Sequence, residues 1–519
     1  MMIAFHDSRR RRRLPVRRAG VVRALAACLA AVPAVALGGC ASVAGDAGFS
    51  EVRGAVRQQG GGADVQWAHG EQGAEAAARV RALLAADLTA DAAVAVALAE
   101  NADLQATFEE LGIGQADLLE AALLRNPVLG AEVRFPAAPA IPFEITLAQP
   151  VLDLIARPRR RRIAAARFAA TQLRVADAVL ALEAATRSSF YRVQAAEQTA
   201  NLARTLAAAA DTSAGLAARQ LAAGDSADLD LANQQAMAEQ ARLELNRALG
   251  ELAAARERLQ REMGLGDAAA AWRVAPALPP LAAAEAPLDG LEGAAAVGRL
   301  DLAALRSEAD AAAQALPLGS LAAIETAEVG GHTERDAADG RTTTGPAVAV
   351  SVPLFNWGQA AKRRAAARYR QARDRYAARL AAVRSEVREA WERLMTARRQ
   401  AELWRDEMVP LRRRILDLTQ TRYNAQLVGV FQLLAAKQDA VRAEGQAIDA
   451  VRDYWLARTD LERALAGRLP PAPVSTSPPA PVSIAPPAPV SIAPPAARPE
   501  RRAGEGAPPQ IAAPGGGDS

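Results

Sequence analysis

The sequence predicts a mainly α fold with a small β part, built as two copies of one unit of long coiled-coil helices plus one β-hairpin. Three observations predict it. "PVLDLIARPRRR", beginning at Pro150, is echoed by "PLFNWGQAAKRR", beginning at Pro353, and a recurring proline, apolar pair, Asp or Asn and basic cluster marks an internal repeat. Each echo opens a helical stretch longer than an ordinary globular domain needs. Aromatic residues make up only 4% of the chain while alanine is abundant, which suits helices packed closely side by side rather than a compact core of large side chains.

The chain starts with Arg9 to Arg13, Arg17, Arg18 and Arg23 before the apolar run "ALAACLAAVPAVA", a secretion signal too short to cross a bilayer. The run ends in Leu37-Gly38-Gly39-Cys40, which resembles a bacterial lipoprotein signal. The Cys40 thiol is then the nucleophile that takes a diacylglycerol, and cleavage leaves it as an acylated N-terminus. These covalent lipids are expected on Cys40 and no cofactor is implied. The arginine pairs also suit twin-arginine export, but an ordinary basic leader accounts for them better. Without residues 1–39 the chain loses eight Arg and one Asp, so its formal charge falls from +4 to −3 and the basic balance implies no nucleic-acid partner. Cys28 leaves with the leader, so no thiol remains for a disulfide, a thiolate metal site or catalysis.

A segment at 40–86, expected in the periplasm, precedes repeat 1 at 87–265. The repeat opens with a helix from Ala90 to Leu124. Two β-like stretches follow, "VLGAEVRF" and "FEITLAQP", flanking the proline-rich turn "PAAPAIP". A rod from Arg159 to Leu221 then runs without an interior break except Gly215, about 95 Å at 1.5 Å per residue. Gly224 supplies a turn, Asp225 or Ser226 a cap, and a returning helix continues for about ten turns to Met263-Gly264. The Pro-rich linker at 266–290 leads to repeat 2 at 291–467, whose first helix spans Leu291 to Leu316. Its hairpin is read as "LAAIETAEV" and "PAVAVSVP" around the polar loop "GGHTERDAADGRTTTG", because Ala347 to Val352 alternate as a half-buried strand does. In the second rod Tyr369, Tyr376, Leu380, Val383, Val387, Trp391 and Leu394 recur at sevens, threes and fours, a coiled-coil seam. Pro410 is its one expected kink. Gly429 marks the second turn, and the last helix ends at Leu465-Ala466-Gly467. Added end to end, the first and returning helices of a repeat match the length of its rod. Residues 468–519 carry "PPAPVSTS" and two copies of "PPAPVSIA", an extended PPII-rich spacer.

Over about residues 88 to 467 these features resemble the TolC-like outer-membrane efflux family. "LTADAAVAVALAENADL" and "RLDLAAL" resemble its repeat openings, "VSVPLFNWGQ" its strand-to-helix junction, "TRYNAQLVGVFQLLAAKQ" its helix-tip turn and "DYWLARTDLERALAG" its closing helix. The resemblance implies a homotrimer, with an α-barrel tunnel in the periplasm capped by a shared 12-stranded transmembrane β-barrel. It also implies a periplasmic adaptor protein and an inner-membrane pump as partners, beside outer-membrane lipid. One departure stands out: the first hairpin's segments, of about eight residues, are at or below the 9 to 11 that cross a membrane. That copy either forms a short barrel wall or has degenerated.

On this reading Arg159, Arg160, Arg161, Arg162, Lys362, Arg363 and Arg364 sit at rod N-termini, where the macrodipole disfavours cations. Anionic headgroups of the inner leaflet would offset that, and a solvated charged face is the plainer account. Asp225, Asp228 and Asp230 fall at the first tip. They either cap the returning helix or, under three-fold symmetry, form an acidic ring that gates the periplasmic entrance and favours cations. Gly224, Val428, Gly429 and Val430 are candidate adaptor-docking points, by resemblance to the family's tips; the plainer account is that glycine only allows the tight turn. His6, His69 and His332 look isolated, so no metal site is expected. Neither a phosphate loop nor a nucleophile motif is present. The function expected is a passive, tip-gated exit duct of a tripartite efflux or secretion system in the outer membrane of a Gram-negative bacterium, lipid-anchored and not an enzyme. The rivals are a non-conducting structural lipoprotein, which the paired hairpins argue against, and a periplasmic adaptor, which would carry a single helical hairpin.

Overall fold

Proline, glycine and single capping residues decide where each long helix starts, bends and stops. A computed structural model describes residues 45–60, 65–67, 72–135, 141–224, 226–266, 272–467 and 469. The leader with Cys40, Asp225, the first hairpin's turn at 136–140 and the Pro-rich tail lie outside the described residues.

Helices α1 (Phe49–Gln58) and α2 (Gln72–Ala85) and a short strand β1 (Asp87–Leu88) precede the repeats. Repeat 1 comprises α3 (Ala90–Glu100), α4 (Ala102–Ala122), β2 (Val128–Val133), β3 (Phe143–Pro150), α5 (Leu152–Ala222) and α6 (Asp228–Glu262). The linker adds β4 (Arg273–Val274), which pairs in parallel with β1, a contact the sequence did not suggest. Repeat 2 comprises α7 (Leu291–Gly298), α8 (Leu300–Ala315), α9 (Leu318–Leu321), β5 (Ala327–Arg335), β6 (Thr342–Val350), α10 (Gln359–Glu402), a π-helical segment (Leu403–Met408), α11 (Val409–Asn424) and α12 (Val430–Ala464). The fold is mainly α with a small β part, as the composition implied.

Four expectations change in detail. The opening helix of each repeat is two helices, broken at Asn101 and Arg299. These residues leave the helical region with nearly the same backbone, φ −69° and ψ 111° against φ −67° and ψ 124°, and each ends one helix while starting the next. The first rod starts at Leu152, not Arg159, and carries Pro158 inside it. Proline there removes one backbone bond, but Asp153 in the first turn pairs with Arg125 at 3.3 Å and Arg160 at 3.2 Å and holds the start in place.

The second rod is helical throughout its length but passes through a π turn before Pro410. That proline has no N–H for the carbonyl of Asp406, and the wider turn redirects the chain. The second hairpin is shifted. Most of the expected polar loop is strand, and only Asp336 to Arg341 turn, closed by Asp336 N–H donating to the Arg341 carbonyl at 3.0 Å. The stretch reads as a loop because its polar residues fall on both faces, Thr333, Arg335, Thr342 and Thr344 on one and His332, Glu334 and Thr343 on the other, which leaves no alternation to see.

Between the first rod and its returning helix, packing near the tip rests on small residues. Ala207 and Ala210 of α5 meet Ala238 and Ala241 of α6, so their helices approach closely. Nearer the middle, Phe190 and Tyr191 join Leu259, Met263 and Trp272. The linker is strapped across this region by apolar contacts, among them Trp272, Leu278, Leu281 and Leu288, and by hydrogen bonds. Trp391 Nε1 donates to the Ala286 carbonyl at 3.1 Å and Trp455 Nε1 to the Pro279 carbonyl at 2.9 Å. Tyr454, fully buried, accepts from Ala282 N–H at 3.1 Å and donates to Glu285, and burial with that carboxylate pushes its phenol up to about 12.

Candidate functional site: sheet, junctions and helix tips

The four strands form one antiparallel sheet in the order β2-β3-β5-β6, joining the two hairpins edge to edge. Directly paired residues share a face. One face carries Leu129, Val133, Ile145, Leu147, Val329 and Val348, all exposed, and the other carries Glu132, Glu144, Thr146, Glu328, His332 and Glu334. A large apolar surface left open to water costs free energy, so this face requires lipid or another apolar surface. Nine-residue β5 and β6 rise about 30 Å each and six-residue β2 about 20 Å. The apolar character continues past the strands into Val352, Leu354, Phe355 and Trp357, with Phe355 90% exposed, while Phe135 is exposed at the opposite end. Aromatic residues at both ends of an apolar band match the girdles of transmembrane β-barrels.

The polar face holds a cluster that sequence reading missed. Glu144 and Glu334 are directly opposed across β3 and β5, an unfavourable like-charge pair. Arg134 offsets it by reaching Glu132 at 2.8 Å, Glu144 at 2.9 Å and Glu334 at 3.9 Å. His332, expected to be isolated, lies 3.5 Å from Glu144 and 3.6 Å from Glu334. Glu334 is two residues along the same strand, so period two could have revealed half of this contact. The partner across the sheet is 188 positions away and could not be read. Among the described residues no cluster of His, Cys, Asp and Glu is arranged to hold a metal ion.

Below the sheet, the two junction residues do equivalent work. Asn101 caps α4 by accepting from Leu104 N–H at 2.9 Å and donates from Nδ2 to the Glu262 carbonyl at 3.0 Å. Arg299 donates to the Ala464 carbonyl at 3.2 Å. Glu262 and Ala464 are the last residues of α6 and α12, so in both repeats the junction satisfies an orphan carbonyl of the returning helix. Gly264 lets these ends abut, since a Cβ there would stand 2.4 Å from the Glu100 carbonyl oxygen. Arg299, 4% exposed, also pairs with Asp301 at 2.8 Å and Glu386 at 2.9 Å, and Arg379 reaches Asp301 at 2.7 Å. Burial alone would raise the Asp301 carboxyl, but hydrogen bonds from Arg299 and Arg379 bring it down to about 2.

At the first tip Gly224 takes φ +80°, a left-handed turn that favours glycine. Asp230 reaches back to Ala227 N–H at 3.5 Å and Ser226 Oγ at 3.4 Å, whereas Asp228, the first residue of α6, is exposed. Asp230 is thus a cap, and Asp225 lies outside the described residues. At the second tip the left-handed residue is Gln426 at φ +59°. Gly429 is extended at φ −77°, a conformation open to any residue, and nothing lies within 4 Å of where its Cβ would be. Its position in the turn therefore does not require glycine, contrary to the turn expectation. Leu427 beside it is 74% exposed, with Val428 and Val430 half-buried.

The basic clusters divide. Arg160 is half-buried against Asp153, about two turns inside α5, so the expectation that Arg159 to Arg162 occupy a helix terminus is not met. Arg159, Arg161 and Arg162 are exposed. Lys362, Arg363 and Arg364 do lie in the opening turns of α10, exposed, and that helix has no acidic residue in its first turn. No described helix is long and apolar enough to cross a membrane.

No protein-family model matches the sequence, and no curated protein matches it. Solved structures do match the fold. The chain is similar to a membrane protein from Pseudomonas aeruginosa with TM-score 0.62 and 21% identity, over 75% of this chain and 92% of that one. It is similar to the CmeC outer membrane channel of Campylobacter jejuni with TM-score 0.63 and 18% identity, over 73% and 86%. The open-state MtrE outer membrane channel of Neisseria gonorrhoeae gives TM-score 0.58 and 18% identity, over 72% and 88%. The fold is that of the TolC-like outer-membrane channels.

Proposed function

We propose that the chain is the outer-membrane exit duct of a tripartite efflux or secretion system, a passive channel that works as a homotrimer. One observation carries this reading: a sheet with an apolar face whose two outer strands, β2 and β6, have no further partner strand among the described residues. In hydrocarbon an open sheet edge leaves backbone groups unsatisfied at several kcal/mol each, so the edges must be closed by other copies. Three four-stranded sheets give a closed, even-stranded barrel of 12. The polar face then lines the lumen, and the rods continue it into the periplasm.

Around that duct the remaining roles follow by chemistry. Cys40 carries the diacylglycerol and acyl chain that hold the N-terminus at the membrane. Asp225 and Asp228, tripled by symmetry, form an acidic ring at the periplasmic entrance, with Asp230 supporting the turn. Gly224, Val428, Gly429 and Val430 receive the periplasmic adaptor, and Gly429 supports this because its bare backbone is not required by the turn. Lys362, Arg363 and Arg364, with Arg159, Arg161 and Arg162, meet anionic headgroups of the inner leaflet. Energy comes from the inner-membrane pump.

The test is the conductance of purified protein in planar bilayers, with oligomeric mass measured alongside. A trimer giving small, gated, cation-selective currents is expected, and Asp228→Ala should weaken the selectivity. A monomer, or a trimer that never conducts, would replace the duct with a scaffold.

A further inference from the structure

Under the sheet, α4, α5, α8, α9 and α10 enclose two adjoining clefts of about 800 and 680 Å³. Both are lined by Asp117, Arg167, Thr171, Ala315 and Leu318, so they form one continuous cleft of a size that takes a small molecule. Its charge is one-sided. Arg160, Arg167 and Arg174 follow one another at intervals of seven along α5, about 10 Å apart, and Arg364, Arg368 and Arg375 face them from α10. With Arg125, seven arginines line the cleft against three carboxylates, Asp117, Glu120 and Glu308.

Part of that charge is already satisfied. Arg160 is held by Asp153, although its Nε and Nη2 are buried without a hydrogen-bond partner, and Arg174 pairs with Glu308 at 3.6 Å. Among the described residues, Arg167, Arg364, Arg368 and Arg375 make no hydrogen bond or ion pair, and all four are exposed toward the cleft. The floor between them is apolar: Ile163 and Phe168 in the upper part, Ala170 and Ala311 in the lower. Val175, Ala176 and Val179 of α5 pack with α1, and Gly48 just before α1 lies close to Phe168 and Gln172.

We propose that this cleft binds an anionic amphiphile, with its carboxylate, sulfonate or phosphate on the unpaired arginines and its apolar body on the alanine and Phe168 floor. Guanidinium groups suit this because their planar forks match such oxyanions in pairs of hydrogen bonds, while like charges held together without partners gain from any anion that enters. The site is distinct from headgroup contact at the rod starts. Arg167 lies fifteen residues beyond Leu152, about 22 Å along α5, below the depth a lipid head reaches while its tails stay in the bilayer. The occupant is therefore a soluble anionic amphiphile from the surrounding water rather than a bilayer lipid, and this assignment does not rest on the export-duct reading.

The experiment is equilibrium dialysis of anilinonaphthalene sulfonate against the full chain in nanodiscs of zwitterionic lipid, with empty nanodiscs subtracted. Arg167→Ser with Arg368→Ser should weaken binding at least tenfold and leave the thermal midpoint unchanged. Arg219→Ser with Arg370→Ser, exposed on the same two helices but outside the cleft, should bind as the parent does, and a cationic dansyl ammonium probe should not bind. Equal binding by the cleft variant, or equal loss in both variants, would overturn the site. Competition by phosphatidylglycerol in the nanodisc would overturn the solute assignment and return the cleft to lipid. Conductance of the same preparations separates the two readings, since a protein that binds the probe but never conducts keeps the cleft and loses the duct.

Discussion

The two repeats reach one architecture through different chemistry, most plainly at Asn101 and Arg299. Both residues break a helix with the same backbone and both bond the last carbonyl of a returning helix, yet one is neutral and the other sits in a network of two arginines and two carboxylates. The tips diverge in the same way: repeat 1 turns on Gly224, repeat 2 on Gln426. Backbone path is therefore what duplication preserves, because rods and abutting helix ends must close geometrically, whereas any side chain that can reach the orphan carbonyl serves.

The junctions provide the largest test of that difference. Arg299→Ala leaves the Ala464 carbonyl unbonded and removes one partner from Asp301 and Glu386, so a loss of about 3 kcal/mol is expected in denaturant unfolding of the solubilised protein. Asn101→Ala removes a cap and one neutral bond, and about 1 to 2 kcal/mol should go. Equal losses would show that the charged network contributes nothing beyond the shared bond.

Acid sharpens the same contrast. The folded Asp301 carboxyl lies at about 2, below its unfolded value of about 3.9. Its stabilisation is present in full above about pH 4 and is lost as pH falls through 2, on the order of 2 kcal/mol. Asp301→Asn should therefore unfold more easily than the parent at pH 6 and no more easily at pH 2, read as thermal midpoints.

The smallest effects belong to the tips. Gly224→Ala places a Cβ on a left-handed residue and should cost about 1 kcal/mol, while Gly429→Ala should change stability by less than about 0.5 kcal/mol. A co-purification assay with an adaptor should show the reverse order, Gly429→Ala weakening capture more. If Gly429→Ala destabilised the fold as much as Gly224→Ala, the docking role would lose its support.

Much of the fold was legible because it depends on local rules. Proline-free alanine-rich stretches gave the rods, Gly224 the first turn, and the echo at Pro150 and Pro353 the duplication. The site was less legible. His332, Glu144 and Arg134 are brought together only by strand register, and β5 and β6, with polar side chains on both faces near their turn, read like a loop when the partner strand is unknown. The break at Asn101 gave a weak signal, a capping residue inside an apolar run. Arg299 gave none, since arginine is a good helix former and only the returning helix explains its place.

Composition and spacing by themselves determined that this chain makes long paired helices with two hairpins, since period, caps and breakers act within a few residues of sequence. Tertiary structure alone decided the sheet's order and two faces, the carbonyls that Asn101 and Arg299 satisfy, and the arginines that share a cleft. Each of these depends on where the chain comes to lie beside itself after a hundred residues or more, and no local propensity carries that distance.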